Sequence, residues 1–110
     1  MKTASMQLSG VPVLTIREAV TAAECDEFRG AFREALGTGR TIILDLAEVP
    51  FLDSAALEML LDLFGEQAER GGRVKLAALG PNCQEILRIT DLRGRLDVYD
   101  SVEDAARRLI

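Results

Sequence analysis

The strongest constraint on how this chain folds is the run Thr41-Ile42-Ile43-Leu44-Asp45-Leu46, which is aliphatic without polar alternation and is followed closely by a long helical pattern. A strand of that composition is buried on both faces, as central strands of parallel and mixed sheets are, so it demands a packed layer on each side. After a turn through Glu48-Val49-Pro50-Phe51-Leu52-Asp53, apolar residues recur at helical spacing: Leu57, Leu60, Leu61, Phe64 and Ala68. Glu58, Asp62, Glu66, Glu69 and Arg70 fill the polar positions between them. This is one amphipathic helix of about four to five turns, opened by Ser54. Asp53 and Ser54 are both favoured N-caps, and the acid stands at the positive end of the helix dipole.

The flanking segments supply the layers. Ser5–Leu8 and Val11–Ile16 read as a hairpin bent at Gly10, with Pro12 placing the start of the second strand near a sheet edge. Thr21-Ala22-Ala23-Glu24 is a capping box, with Val20 as its hydrophobic staple. The helix it opens carries Cys25, Phe28, Ala31, Phe32, Ala35 and Leu36 on one stripe and ends at Gly37-Thr38-Gly39. Gly71-Gly72 permits a tight turn into a strand over Arg73–Leu79, and a strand, helix, strand order of this length implies a parallel pair with a right-handed crossover. Asn82 with Glu85 reads as a second capping signature, for a helix over Cys83–Thr90. Asp91–Arg95 is a return loop, Leu96–Tyr99 a last strand, and Ser101 the cap of a terminal helix carrying Ala105, Ala106, Leu109 and Ile110. The single aromatics Phe51 and Tyr99 read as core residues. The expected fold is α/β, one domain over residues 1–110, with a small mixed sheet of about 4–5 strands packed with about four helices.

Composition excludes several functions. No apolar run approaches the roughly 18 residues that a spanning helix needs, and the N-terminus lacks the build of a signal peptide, so a cytoplasmic protein without membrane insertion is expected. A formal charge of −5 argues against a nucleic-acid surface. The chain has no histidine, which removes the commonest general base and a common metal ligand. Cys25 and Cys83 have no CxxC spacing and read as thiols rather than a disulfide. The acidic pairs Glu66/Glu69 and Asp26/Glu27 read as solvated helix faces, and Arg88, Arg93 and Arg95 as a solvated turn. No catalytic residue, metal site or cofactor is expected.

The stretch from Thr41 through Leu46, Val49 and Phe51-Leu52-Asp53-Ser54-Ala55-Ala56-Leu57 resembles the STAS domain of bacterial anti-sigma factor antagonists. Gly71-Gly72 before Arg73–Leu76, and Ile86–Leu92, extend the similarity over nearly the whole chain. The resemblance implies a non-enzymatic module that binds an anti-sigma factor or a related serine-kinase-type partner in partner-switching control of transcription. Its docking face would comprise Phe51, Leu52, Asp53, Ser54, Ala55, Ala56 and Glu58, with affinity from the apolar rim of the Leu52–Leu57 turn. Asp45 and Asp53-Ser54 match the family pattern, but the usual phosphoacceptor position holds Ala55, and Ala56 stands where glycine is usual. Ser54 is a poor substitute, since a one-residue shift on a helix turns the side chain by about 100°. Loss of the acceptor also suits an alternative, a STAS subunit bound to the ATPase of a lipid-trafficking ABC transporter.

Overall fold

The aliphatic run Thr41–Asp45 (β3) becomes the middle strand of a five-stranded sheet in the computed structural model, which describes residues 1–107. In chain order the described elements are β1 (Thr3–Leu8), β2 (Val11–Ile16), a 3-10 turn (Ala22–Glu24), α1 (Cys25–Leu36), β3, α2 (Ser54–Glu69), β4 (Arg73–Ala77), α3 (Pro81–Ile89), β5 (Asp97–Tyr99) and α4 (Val102–Arg107). Spatial order follows sequence order. β1 and β2 form an antiparallel hairpin, and β2, β3, β4 and β5 run parallel. Leu109 and Ile110 lie outside the described residues.

Side-chain alternation divides the sheet between two cores, as a doubly covered strand requires. Leu14, Ile16, Ile42, Leu44, Val74 and Leu76 face Phe28, Phe32, Leu57, Leu60 and Leu87 of α1, α2 and α3. Val13, Ile43 and Ala77 face the smaller core under α4, with Ala105 and Ala106. Lys75 is also buried there, 1% exposed. Its ammonium donates to the Ala105 carbonyl at 2.8 Å and lies 5.1 Å from the centre of the Tyr99 ring. Burial pulls the lysine pKa down from its ordinary range.

Local signals and tertiary contacts agree over most of the chain and part at four places. Pro12 belongs to an interior strand, not an edge; β2 pairs with β3 only from Val13 onward, so the missing N–H falls where no ladder bond is needed. The inward face of α2 is centred on Ala56, Leu60, Leu63 and Gln67, leaving Leu61 and Phe64 half-buried and Ala68 exposed. Gln67 turns inward because its amide donates to the Arg40 carbonyl at 2.8 Å. β4 stops at Ala77, since Ala78 takes a φ of +60° and donates its N–H to Tyr99. The helix α3 is capped by Gly80 with Pro81 in its first turn; Asn82 caps nothing, and Glu85 pairs with Arg88 at 2.6 Å instead.

The Gly71-Gly72 turn has a stricter basis than flexibility. Gly71 adopts φ +77°, and a Cβ on Gly72 would stand 1.9 Å from the Arg40 carbonyl oxygen. That oxygen already accepts from Arg73 N at 3.0 Å and from Gln67, so it cannot retreat without breaking the start of the β3–β4 ladder. Gly72→Ala is therefore expected to lower unfolding free energy by at least about 2 kcal/mol. Gly65→Ala, on α2 with open space at the Cβ position, should raise it by about 1 kcal/mol. Denaturant midpoints of the two variants check this, and equal effects would remove the close approach as the reason for glycine at 72.

Candidate functional site

The loop between β3 and α2 is pinned from three directions. Leu46 donates its N–H to Ala77 at 3.0 Å, the Val49 carbonyl accepts from the Cys83 thiol at 3.2 Å, and Leu52 pairs with Val20 in an isolated parallel bridge. In that bridge Val20 N donates to the Phe51 carbonyl at 3.1 Å and Asp53 N donates to the Val20 carbonyl at 3.3 Å. Asp45, at the strand end, accepts from Ala47 N at 3.1 Å and from the Thr15 hydroxyl at 3.4 Å, which closes the start of the loop.

The pinning decides which side chains face water, and at the Leu52 bridge, where the backbone is locally extended, the neighbouring side chains point the other way. Val49 and Leu52 point inward, 2% and 3% exposed. Phe51 points outward and is 47% exposed, correcting the expectation that it belongs to the core. Ala56 is fully buried and Leu57 nearly so, which leaves neither they nor Leu52 an apolar rim to offer. The accessible surface of the junction is Phe51, Ser54 and Glu58, flanked by half-buried Asp53 and Ala55. Tyr99 is half-buried, its hydroxyl donating to Asp97 at 3.1 Å, and belongs to the opposite, α4 side of the sheet.

Asp53, rather than Ser54, is the N-cap of α2. One carboxylate oxygen accepts from Ala56 N at 2.9 Å, as a cap should. The other accepts from Ala22 N, also at 2.9 Å, at the start of the 3-10 turn that leads into α1. A single carboxylate thus answers two helix starts, each with exposed N–H groups and a positive dipole end. The predicted capping box stands beside it: Glu24 accepts from Thr21 N at 2.8 Å and from the Thr21 hydroxyl at 2.7 Å. Those hydrogen bonds from Thr21 hold the Glu24 carboxyl below the usual carboxylate range. Its stabilisation is complete above the ordinary glutamate pKa and is lost as the pH falls through the lowered folded value.

Chemically, the accessible junction offers an aromatic ring, a hydroxyl and a carboxylate, those of Phe51, Ser54 and Glu58. The open cleft beside it, about 380 Å³ and lined by Ala47, Glu48, Val49, Pro50, Gly80, Pro81 and Asn82, presents one carboxylate, and Glu48 pairs with Arg17 at 3.2 Å. Among the described residues no group of His, Cys, Asp or Glu is arranged to hold a metal ion, and no helix is long and apolar enough to cross a membrane. Cys25 and Cys83 are free, and burial raises both thiol pKa values, so neither is a poised nucleophile. Glu66, Glu69, Asp26 and Glu27 are exposed, with Glu27 paired to the Met1 ammonium at 2.7 Å; Arg93 and Arg95 are also exposed. The second role of Asp53, at Ala22, has no local sequence signal, because the two residues meet only through the Val20–Leu52 bridge.

Asp53→Ala removes both acceptors and is expected to cost about 1–3 kcal/mol of unfolding free energy, against less than about 0.5 kcal/mol for Ser54→Ala. Denaturation of the pair checks the assignment of the cap. A larger loss in Ser54→Ala would return the cap to the serine.

Comparison with known proteins bears on the whole fold. The profile of the STAS domain matches residues 4–105. A STAS-domain containing protein of Pseudomonas aeruginosa is 34% identical over 65 residues, a match spanning 59% of this chain and 64% of that protein's length. The chain superposes on a candidate anti-sigma factor antagonist of Thermotoga maritima with TM-score 0.87 at 19% identity, over 97% of this chain and 93% of the other. It also superposes on part of the murine anion transporter solute carrier 26 member A9, with TM-score 0.76 at 23% identity, over 93% of this chain and 18% of the transporter.

Proposed function

The chain belongs to the STAS domain family, and from that premise we propose that it is a non-enzymatic protein-binding module that acts as an anti-sigma factor antagonist does. It holds a cytoplasmic regulatory partner, an anti-sigma factor or related serine-kinase-type protein, against the start of α2. The observation that carries this reading is Phe51: a large aromatic, 47% exposed, on a loop too firmly pinned to withdraw it. Aromatic anchors on rigid supports give contact area at small entropic cost. Ser54 and Glu58 are the exposed polar residues that follow it at the start of α2.

The acceptor position holds Ala55, so docking is not switched by phosphorylation there. Ser54 stands first in the helix, exposed, and its hydroxyl is displaced by about 100° around the axis from the side chain of residue 55. Control would then lie in the partner or in abundance. A second reading, a constitutive STAS subunit on the ATPase of a lipid-trafficking transporter, draws support from Ala55 and from the superposition on a domain built into a membrane transporter.

Incubation with ATP and a cognate serine kinase is expected to leave the intact mass unchanged. One phosphate mapped to Ser54 would contradict the register argument. Phe51→Ala and Ala55→Asp should both fold, the second because a carboxylate in the first helix turn is favoured by about 0.3–1 kcal/mol. Both should lose most binding, Ala55→Asp by about a hundredfold, because its charge would be desolvated beneath the partner. Calorimetry against the protein retained by the wild type reads the loss, and the identity of that protein, kinase-type regulator or transporter ATPase, separates the two readings. Unchanged affinity in both folded variants would place the partner elsewhere.

A further inference from the structure

We propose that β1 is a self-association edge, where two copies of this chain pair their β1 strands antiparallel about a two-fold axis and join their sheets into one. β1 is a six-residue strand, Thr-Ala-Ser-Met-Gln-Leu, exposed along its length except at half-buried Leu8. It lies at the end of the sheet, so among the described residues one side of its backbone has no strand beside it. The register shows which groups are left. Arg17 N donates to the Lys2 carbonyl at 2.9 Å, and the hairpin pairs Ala4 with Thr15, Met6 with Val13 and Leu8 with Val11. Hydrogen-bonded pairs alternate along an antiparallel ladder, so Ala4, Met6 and Leu8 bond inward to β2 while the N–H and C=O groups of Thr3, Ser5 and Gln7 point outward.

Those three outward residues are self-complementary. Centred on Ser5, an antiparallel pairing sets Thr3 opposite Gln7 of the second copy, Ser5 opposite Ser5, and Gln7 opposite Thr3, each a bonding pair, as an isologous interface demands. The usual devices against such pairing are missing from β1: it has no charge, no proline and no bulge against β2. The side chains favour a second copy as well. Met6, 55% exposed, and Leu8 share the α4 face of the sheet with Val11 and Val13, an extension of the smaller core toward the edge. In this register Met6 of each copy lies across from Ala4 of the other, so the exposed thioether is covered by an uncharged neighbour.

A single strand edge buries less than the roughly 1,200 Å² of a stable interface, so the dimer is reversible and dependent on concentration. Each copy carries a charge of −5, and the repulsion between them is screened by salt, so association strengthens as ionic strength rises. Sedimentation velocity from about 10 µM to about 1 mM tests this and should show a sedimentation coefficient that climbs with concentration and climbs further at high salt. Ser5→Pro, which deletes an outward donor, and Met6→Lys, which places a charge on the edge, should each hold the protein monomeric, with dimerisation weakened at least about tenfold. Met6→Lys alters an exposed side chain and decides the matter should Ser5→Pro disturb the hairpin. A wild-type protein monomeric at about 1 mM, or a dimer that survives Met6→Lys in a folded protein, overturns the proposal. Both variants leave Phe51 and Asp53 intact, so either result is independent of the partner surface.

Discussion

The arrangement at the start of α2 depends on one carboxylate. Asp53 accepts from Ala56 N and from Ala22 N at 2.9 Å each, so the starts of α2 and of the turn into α1 are tied to the same negative charge. Either amide alone would be an ordinary cap. Together they turn a local motif into a tertiary joint, with the Val20–Leu52 bridge beside it supplying the backbone half. The joint has a functional corollary. The positive ends of two helices are already met by a built-in anion, so the Ala22 and Ala56 amides are not free to take an exogenous phosphate.

The other end of the β3–β4–α2 unit is held by a comparable device. The Arg40 carbonyl receives Arg73 N and the buried Gln67 amide, and Gly72 is the residue that lets the backbone pass close enough. With both ends of the crossover tied, α2 cannot slide along the sheet, and Phe51, one residue before the bridge, is held in water. Across the sheet, Lys75 fastens α4 through the Ala105 carbonyl, so a charge is buried where a purely apolar pattern would have sufficed. Removing such a partner is costly because the ammonium would be left buried and unpaired.

Much of this was legible in the chain before any coordinates. The capping box at Thr21–Glu24, the buried strand at Thr41, the Gly-Gly turn and the mixed α/β order rest on local chemistry or on period, and the structure bears them out. What escaped was set by contacts distant in sequence. Apolar residues cover more than half of the circumference of α2, so its phase was decided by Gln67 reaching Arg40, 27 residues away. Phe51 looks like a core aromatic until the bridge to Val20 shows which way alternation points at that position. Asn82 looks like a cap until Gly80-Pro81 takes the helix start. Of the candidate site, Asp53 and its neighbours were singled out by their resemblance to a family pattern, whereas the division into buried Leu52 and Ala56 and exposed Phe51 was not legible there.

Asp53 joins two helix starts into one support for the surface around Phe51. Site-resolved amide exchange by NMR tests it most directly, comparing Ala22 and Ala56 in the wild type and in Asp53→Asn, which keeps the shape of the side chain but removes its charge. Both amides, 34 positions apart in the chain, are expected to exchange faster in the variant while amides of the central β3 strand keep their protection. Acceleration at Ala56 with Ala22 unchanged would contradict it, reducing Asp53 to the cap of a single helix.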